Sequence, residues 1–210
     1  MGTLRHFDIA HLRRYHCLVN YVETGAGDGA GCQYAILSGY KHAYLCEIEP
    51  KLCTVLRARY EDMPVKVYEG HSGEQLEKAL QDMSKDPSLF WLDAHFPGAE
   101  YGLQKYGAEK NAEVRLPLQV EVELISKYRA GIPDVVLIDD ARIYQPGPYG
   151  LGEIPPDWKP LEGVERSLDF VRDSFSKTHG IVTDYADTGY VMVCPRVPYD
   201  PSRAELARMR

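Results

Sequence analysis

The stretch Glu23-Thr24-Gly25-Ala26-Gly27-Asp28-Gly29-Ala30-Gly31 decides how this chain is read. It follows an apolar run, Leu18–Glu23, with the composition of a buried strand, and it opens a helix-forming segment, Ala30–Leu37. Glycine has no Cβ, so alternate glycines let the backbone turn sharply and lie close against a ligand. The helix behind them offers N–H groups with no partner of their own, which suit an anionic or polar group. A second strand, Ala43–Glu47, ends in an acid 24 residues beyond Glu23. A carboxylate there accepts hydrogen bonds from both hydroxyls of a ribose. Strand, glycine loop, helix, strand and acid thus come in the order that nucleotide binding needs. Gly25-x-Gly27-x-x-Ala30 also meets the relaxed dinucleotide fingerprint, so spacing alone leaves a nicotinamide ligand open.

Outward from this unit the alternation continues. Val65–Tyr68, Leu89–Leu92 and Val135–Ile138 read as further strands, and Ile181–Tyr185 with Tyr190–Cys194 as a hairpin around Ala186-Asp187-Thr188-Gly189. Between them, Pro50 opens a helix to about Tyr60, and Ser72 with Gln75 forms a capping box ahead of Leu76, Leu80 and Met83. Pro117 opens a helix carrying Leu118, Val122 and Ile125, and a last helix carries Val164, Leu168, Val171 and Phe175. Strands alternating with helices predict an α/β, doubly wound, mostly parallel sheet with helices on both faces and an antiparallel terminal strand. Two connections are long: 97–116, and 141–161, which holds Pro146, Pro148, Pro155, Pro156 and Pro160. Both follow the C-terminal ends of strands, where open α/β sheets bind ligands.

The totals agree. With 210 residues and 44% apolar residues the chain predicts one domain, 1–210, with a sizeable core. No uncharged stretch approaches the ~18 apolar residues of a membrane helix. Met1–Asn20 lacks a basic-then-apolar leader, and His6 stands where myristoylation wants Ser or Thr. A formal charge of −7 argues against non-specific nucleic-acid binding. Cys17, Cys32, Cys46, Cys53 and Cys194 are odd in number and lack any C-x-x-C pair, which predicts reduced thiols, a cytoplasmic setting and no zinc.

Glu23-x-Gly25-x-Gly27-x-Gly29 resembles the first motif of S-adenosylmethionine-dependent methyltransferases of the Rossmann-like class. The terminal hairpin resembles that family's seventh strand. The resemblance implies a seven-stranded sheet of order 3-2-1-4-5-7-6. It implies that Glu23, Gly25, Ala26, Gly27, Gly29 and Glu47 hold S-adenosylmethionine, Glu23 at its methionine end, with His71 and Ser72 beside the adenine. His71 departs from the acid that the family often has in this turn.

Three more acids close strands: Asp93 after Leu89–Leu92, and Asp139 with Asp140 after Val135–Ile138. Strands four and five of this topology are neighbours, so the three carboxylates converge. Without a cation they repel, and a hard divalent ion (magnesium foremost, or manganese or calcium) resolves the conflict. The pattern resembles the divalent-metal-dependent O-methyltransferases of catechol and macrolide-sugar type. That likeness implies Asp93, Asp139 and Asp140 as metal ligands and Asp93 as a shared cofactor and catalytic residue. The catechol-type enzymes carry Lys three residues beyond the first Asp; Phe96 stands there, which promotes His95 to general base, neutral near pH 7 if unperturbed. The alternative for the acids is loop shaping, and for His95 a structural role. The expected function is O-methylation of a small hydroxylated acceptor, with no nucleic-acid or membrane partner; the Pro-rich loop suits a subunit interface equally well. Competing readings are a nicotinamide-linked oxidoreductase, a non-catalytic S-adenosylmethionine-binding protein, and a metal-dependent hydroxylase-like relative on the same scaffold.

Overall fold

Successive residues of a strand point to opposite faces, so a sheet buried on both sides needs two apolar sets in one register. The computed structural model, which describes residues 3–99, 101–155, 158–162, 164 and 166–197, shows both sets. Val22, Phe90, Leu92, Val136 and Ile138 are buried on one face, and Tyr21, Leu89, Trp91, Val135 and Leu137 on the other. Met1, Gly2 and Pro156 lie outside the described residues.

The strands are β1 (Asn20–Thr24), β2 (His42–Glu47), β3 (Val65–Glu69), β4 (Ser88–Leu92), β5 (Val135–Ile138), β6 (His179–Asp184) and β7 (Tyr190–Pro195). They form one sheet of order β3-β2-β1-β4-β5-β7-β6, with β7 antiparallel to both neighbours and the other pairs parallel. The helices are α1 (Ile9–Tyr15), α2 (Ala30–Leu37), α3 (Pro50–Arg59), α4 (Ser72–Asp82), α5 (Ala112–Arg115), α6 (Leu118–Tyr128), α7 (Ala141–Tyr144) and α8 (Asp169–Phe175). Residues of α4, α6 and α8 pack in the core with Val22 and Phe90, those of α1, α2 and α3 in the core with Tyr21 and Trp91. Each fully buried large side chain here contributes about 2–3 kcal/mol of hydrophobic stabilisation.

Register positions the site. Thr24 pairs with Cys46 on one side and Leu92 on the other, so Gly25, Glu47 and Asp93 leave three adjacent strands at one height. Leu92 pairs with Ile138, which brings Asp139 level with Asp93.

Two helix expectations are corrected. His71, not Ser72, is the N-cap of α4; Ser72 is the first helical residue, and no side chain caps this end. The last helix starts at Asp169 rather than near Val164. Upstream of it, Arg166 reaches back to the carbonyls of Arg142 (2.6 Å) and Ile143 (3.1 Å) on α7, which ties that segment to the loop after β5.

Candidate active site

The glycine loop is built as its sequence requires. Gly25, Gly27 and Gly29 have φ of 72°, 56° and 85°, a region costly for residues with a Cβ. At Gly25 a Cβ would lie 2.6 Å from the Asp93 carbonyl oxygen, so the loop presses directly on the end of β4. The N–H groups of Gly25 and Ala26 donate to the Cys46 carbonyl, at 2.9 and 3.2 Å. Gly29 forms the N-cap of α2, and the Tyr60 hydroxyl donates to its carbonyl at 2.8 Å.

Glu47 is buried, and its two carboxylate oxygens accept from Gly27 N (2.7 Å) and Glu49 N (2.9 Å). Burial raises its pKa while these backbone donors oppose the rise. The glycine loop and the β2 acid are therefore one hydrogen-bonded unit. They line a cavity together with His71, Ser72, Asp93 and His95. His71 lines this wall and also binds the long loop: its Nε2 donates to the Glu113 carbonyl of α5 at 3.1 Å.

A second cavity continues past Gly25, Asp93 and Tyr101, which line both, and reaches Glu23 and Gly31. Glu23 is 4% exposed, and its Oε2 has no hydrogen-bond partner. Burial pushes its pKa up to about 8, with the nearby Tyr21 hydroxyl opposing. An orphaned buried carboxylate oxygen and a loop with no room for a Cβ are what a cradle for an amino-acid-bearing nucleoside requires. The residues fit S-adenosylmethionine.

A third cavity shares His95 and Phe96 with the first and adds Tyr106, Asp140, Arg142 and Trp158. Phe96, Tyr106 and Trp158 meet edge to face, with centroids 5.1–5.9 Å apart. The two long loops thus close over the same end of the sheet.

The acids do converge, around His95 rather than around open space. The His95 Nε2 lies 2.8 Å from Asp140 Oδ2, and its Nδ1 3.6 Å from Asp93 Oδ1. Asp139 Oδ1 accepts from the Thr188 hydroxyl at 3.4 Å, and Arg142 Nε lies 3.7 Å from Asp140 Oδ1. Burial disfavours the charged imidazole, but the hydrogen bond and charge of Asp140, then the charges of Asp93 and Asp139, outweigh it and push His95 up to about 10. Burial and then the Asp140 charge push Asp139 up to about 7. Asp140 is buried too, yet His95 holds its carboxyl below the usual range.

Two expectations change here. The expectation for His95 held for an unperturbed imidazole; here its carboxylate neighbours raise its pKa and favour the protonated form. The three acids have the oxygen chemistry of a magnesium, manganese or calcium site, but the imidazole stands between Asp93 and Asp140. Among the described residues no group of three or more His, Cys, Asp or Glu is arranged to hold a metal ion. The divalent ion does not fit this arrangement.

Glu121 was not anticipated from the sequence. It is 1% exposed on the inner face of α6, beside the hydroxyls of Ser72 and Thr24, and burial pushes it up to about 7. The signal was present: Glu121 falls within the apolar stripe of Leu118, Val122 and Ile125.

No protein-family model matches the chain, and no curated protein matches it in sequence. Solved structures do resemble it. A Streptococcus mutans protein described as a putative methyltransferase, in complex with SAH, superposes with a TM-score of 0.55 at 13% identity over 93% of this chain and 99% of that one. An O-methyltransferase from Bacillus cereus in complex with SAH gives 0.53 at 9% identity, over 93% and 82%. A SAM-bound amino pentose methyltransferase of calicheamicin biosynthesis from Micromonospora echinaspora gives 0.51 at 9%, over 90% and 89%. The fold is that of the Rossmann-like methyltransferase class. Among the described residues no helix is long and apolar enough to cross a membrane.

Proposed function

We propose that the protein transfers the methyl group of S-adenosylmethionine to a hydroxyl of a small acceptor. The observation that supports this reading is one register. Gly25, Glu47 and Asp93 leave neighbouring strands at one height, and the cavity they line meets the third cavity at His95. When bound, S-adenosylmethionine supplies an electrophilic methyl group on a sulfonium. The glycine loop, Glu47, His71 and Ser72 hold the adenosine half, and Glu23 takes the ammonium of the methionine half. Asp93, which lines both cavities, would border both halves.

The acceptor enters from the third cavity, whose aromatic rim of Phe96, Tyr106 and Trp158 suits a small molecule. His95 is the general base. It gives up its resting proton to solvent and receives the hydroxyl proton as a C–O bond to the methyl would form and its C–S bond break, S-adenosylhomocysteine leaving as the thioether. Asp140 and Asp93 stabilise the resulting imidazolium. No step is assigned to a divalent cation, because the imidazole supplies the positive charge between the carboxylates. The scaffold contributes chiefly positioning and a low-dielectric setting.

Calorimetric titration of the full chain with S-adenosylmethionine, with NAD as control, tests the reading. Binding of the first and not the second is expected, unchanged by excess chelator. Binding of NAD alone would sink the methyltransferase reading in favour of an oxidoreductase. Cofactor binding without any turnover across hydroxylated acceptors would favour a non-catalytic binding protein.

A further inference from the structure

The N-terminal turn forms a wall of the cavity that holds Glu23. Thr3, Leu4 and Arg5 line it together with Gly25, Ala26 and Asp28 of the glycine loop. This turn, Leu4–His6, is fixed in place. The Tyr190 hydroxyl accepts from Thr3 N at 3.1 Å, and His6 stacks on the Tyr190 ring at 4.6 Å while bonding Asp184 at 2.9 Å. Leu4 and Phe7 are buried on either side of Arg5, and the Phe7 carbonyl accepts from the Tyr34 hydroxyl at 2.9 Å. The register of Arg5 is thus set by contacts to β6, β7 and α2.

The charges of this cavity are one-sided. Its described lining carries Glu23, Asp28 and Asp93, and Arg5 is the one basic side chain among them. The Arg5 guanidinium lies 5.3 Å from the Tyr34 ring centroid on α2 and forms no ion pair among the described residues. In the same lining, Glu23 Oε2 is buried without a partner. A cavity whose lining holds an orphaned acid and one guanidinium without an ion pair matches an α-amino-acid zwitterion, the acid suited to the ammonium and the guanidinium to the carboxylate.

We propose that Arg5 binds the α-carboxylate of the cofactor's amino-acid end, so that the N-terminal turn completes the cofactor site. This rests on the methyltransferase reading. Arg5 is a positioning residue: it fixes the remote end of the ligand so that the sulfonium is aimed past Asp93, and it takes no part in the proton transfer.

The test is a two-by-two comparison of binding by calorimetry. The full chain and its Arg5→Ala variant are each titrated with S-adenosylmethionine and with decarboxylated S-adenosylmethionine, which keeps the ammonium and lacks the carboxylate. Arg5→Ala is expected to weaken the first ligand at least tenfold and leave the second within twofold, and Arg5→Lys to recover part of the loss. Equal weakening of both ligands, or of neither, would overturn the assignment. If the wild-type chain binds neither ligand, the methyltransferase reading itself fails, an outcome distinct from failure of Arg5 alone. Arg5 is exposed, and an unchanged melting temperature of the variant separates lost contact from lost fold.

Discussion

The two ends of this sheet treat buried charge in opposite ways. At the end where β4 and β5 begin, Arg129 and Asp134 pair at 2.8 Å with side-chain exposures of 1% and 4%. Arg129 also donates to the carbonyls of Ser84 and Asp86 and to the Ser88 hydroxyl, while Asp134 accepts from Ser88 N. At the end where the same strands finish, Glu23, Glu121 and Asp140 each keep a buried oxygen without a hydrogen-bond partner, as do the hydroxyls of Thr24 and Ser72. Leaving such groups unpaired costs roughly 1–3 kcal/mol apiece. Asn20 Oδ1 is the orphan at the first end, whereas the second end gathers several unpartnered acid and hydroxyl oxygens, as a site for a ligand that brings the missing partners would.

The largest effect expected from this contrast is on stability alone. Arg129→Ala strands Asp134 as a buried unpaired carboxylate, and about 3–5 kcal/mol of unfolding free energy should be lost in urea denaturation. Cofactor affinity, measured below the lowered melting temperature, should not move. A parallel loss of affinity would mean that the two ends are coupled.

The next effect is on rate against pH. Because His95 is raised to about 10, the base form is scarce at neutral pH, and kcat/KM should climb about tenfold per unit between pH 7 and 9 before levelling near pH 10. Asp140→Asn removes the strongest group holding that proton, so the rising limb should move to lower pH, though Asp93 and Asp139 still raise the imidazole. A flat profile from 7 to 9 would remove His95 as the base. The linked stability has a definite sign. A folded-state pKa raised above the usual 6.5 contributes stability that is full below pH 6.5 and is lost as the pH climbs to about 10.

Glu23 carries the smaller and opposite burden. Its folded pKa of about 8 against an ordinary 4.5 means that the protonated form is favoured on folding, so stability falls as pH rises from 4.5 to 8. Glu23→Gln should therefore gain on the order of 1–2 kcal/mol at pH 8.5, and little at pH 4.5, in denaturant melts. It should at the same time weaken S-adenosylmethionine at least tenfold, since the ammonium loses its charged partner. A variant that is stabilised yet binds normally would show that Glu23 serves the fold and not the ligand.

How far the sequence foretold these sites follows from what kind of force builds each. The strands and the glycine loop depend on local patterns: the apolar runs of β1, β4 and β5, and the positive φ that only glycine adopts cheaply at Gly25, Gly27 and Gly29, while the strand order came with the family resemblance. Asp93 and Asp139 were legible because strand ends fix them in space. The electrostatic setting of His95 was not, since its pKa depends on carboxylates 44 and 45 residues away that a residue-by-residue reading treats as separate. The placement of the His95 imidazole between Asp93 and Asp140, which bears on the metal expectation, was hidden for the same reason. Arg5 lies in a segment with no periodicity, and only the packing of Leu4 and Phe7 shows where it goes.

The smallest expected effect tests where the boundary between cofactor and acceptor regions runs. Tyr101 belongs by sequence to the long loop after β4, with the residues that close over the acceptor. By contact it belongs to the glycine loop: its hydroxyl accepts from Asp28 N at 3.0 Å, and its ring covers Gly27 so closely that a Cβ there would collide with it. Tyr101→Phe removes one hydrogen bond worth about 1 kcal/mol and keeps the ring. Cofactor affinity should fall up to about fivefold with the acceptor KM unchanged, because the loop's hold on Asp28 steadies the glycine turn. If instead the acceptor KM rises and cofactor affinity stays put, Tyr101 works with Tyr106 and Trp158, and the boundary runs between the glycine loop and the strap above it.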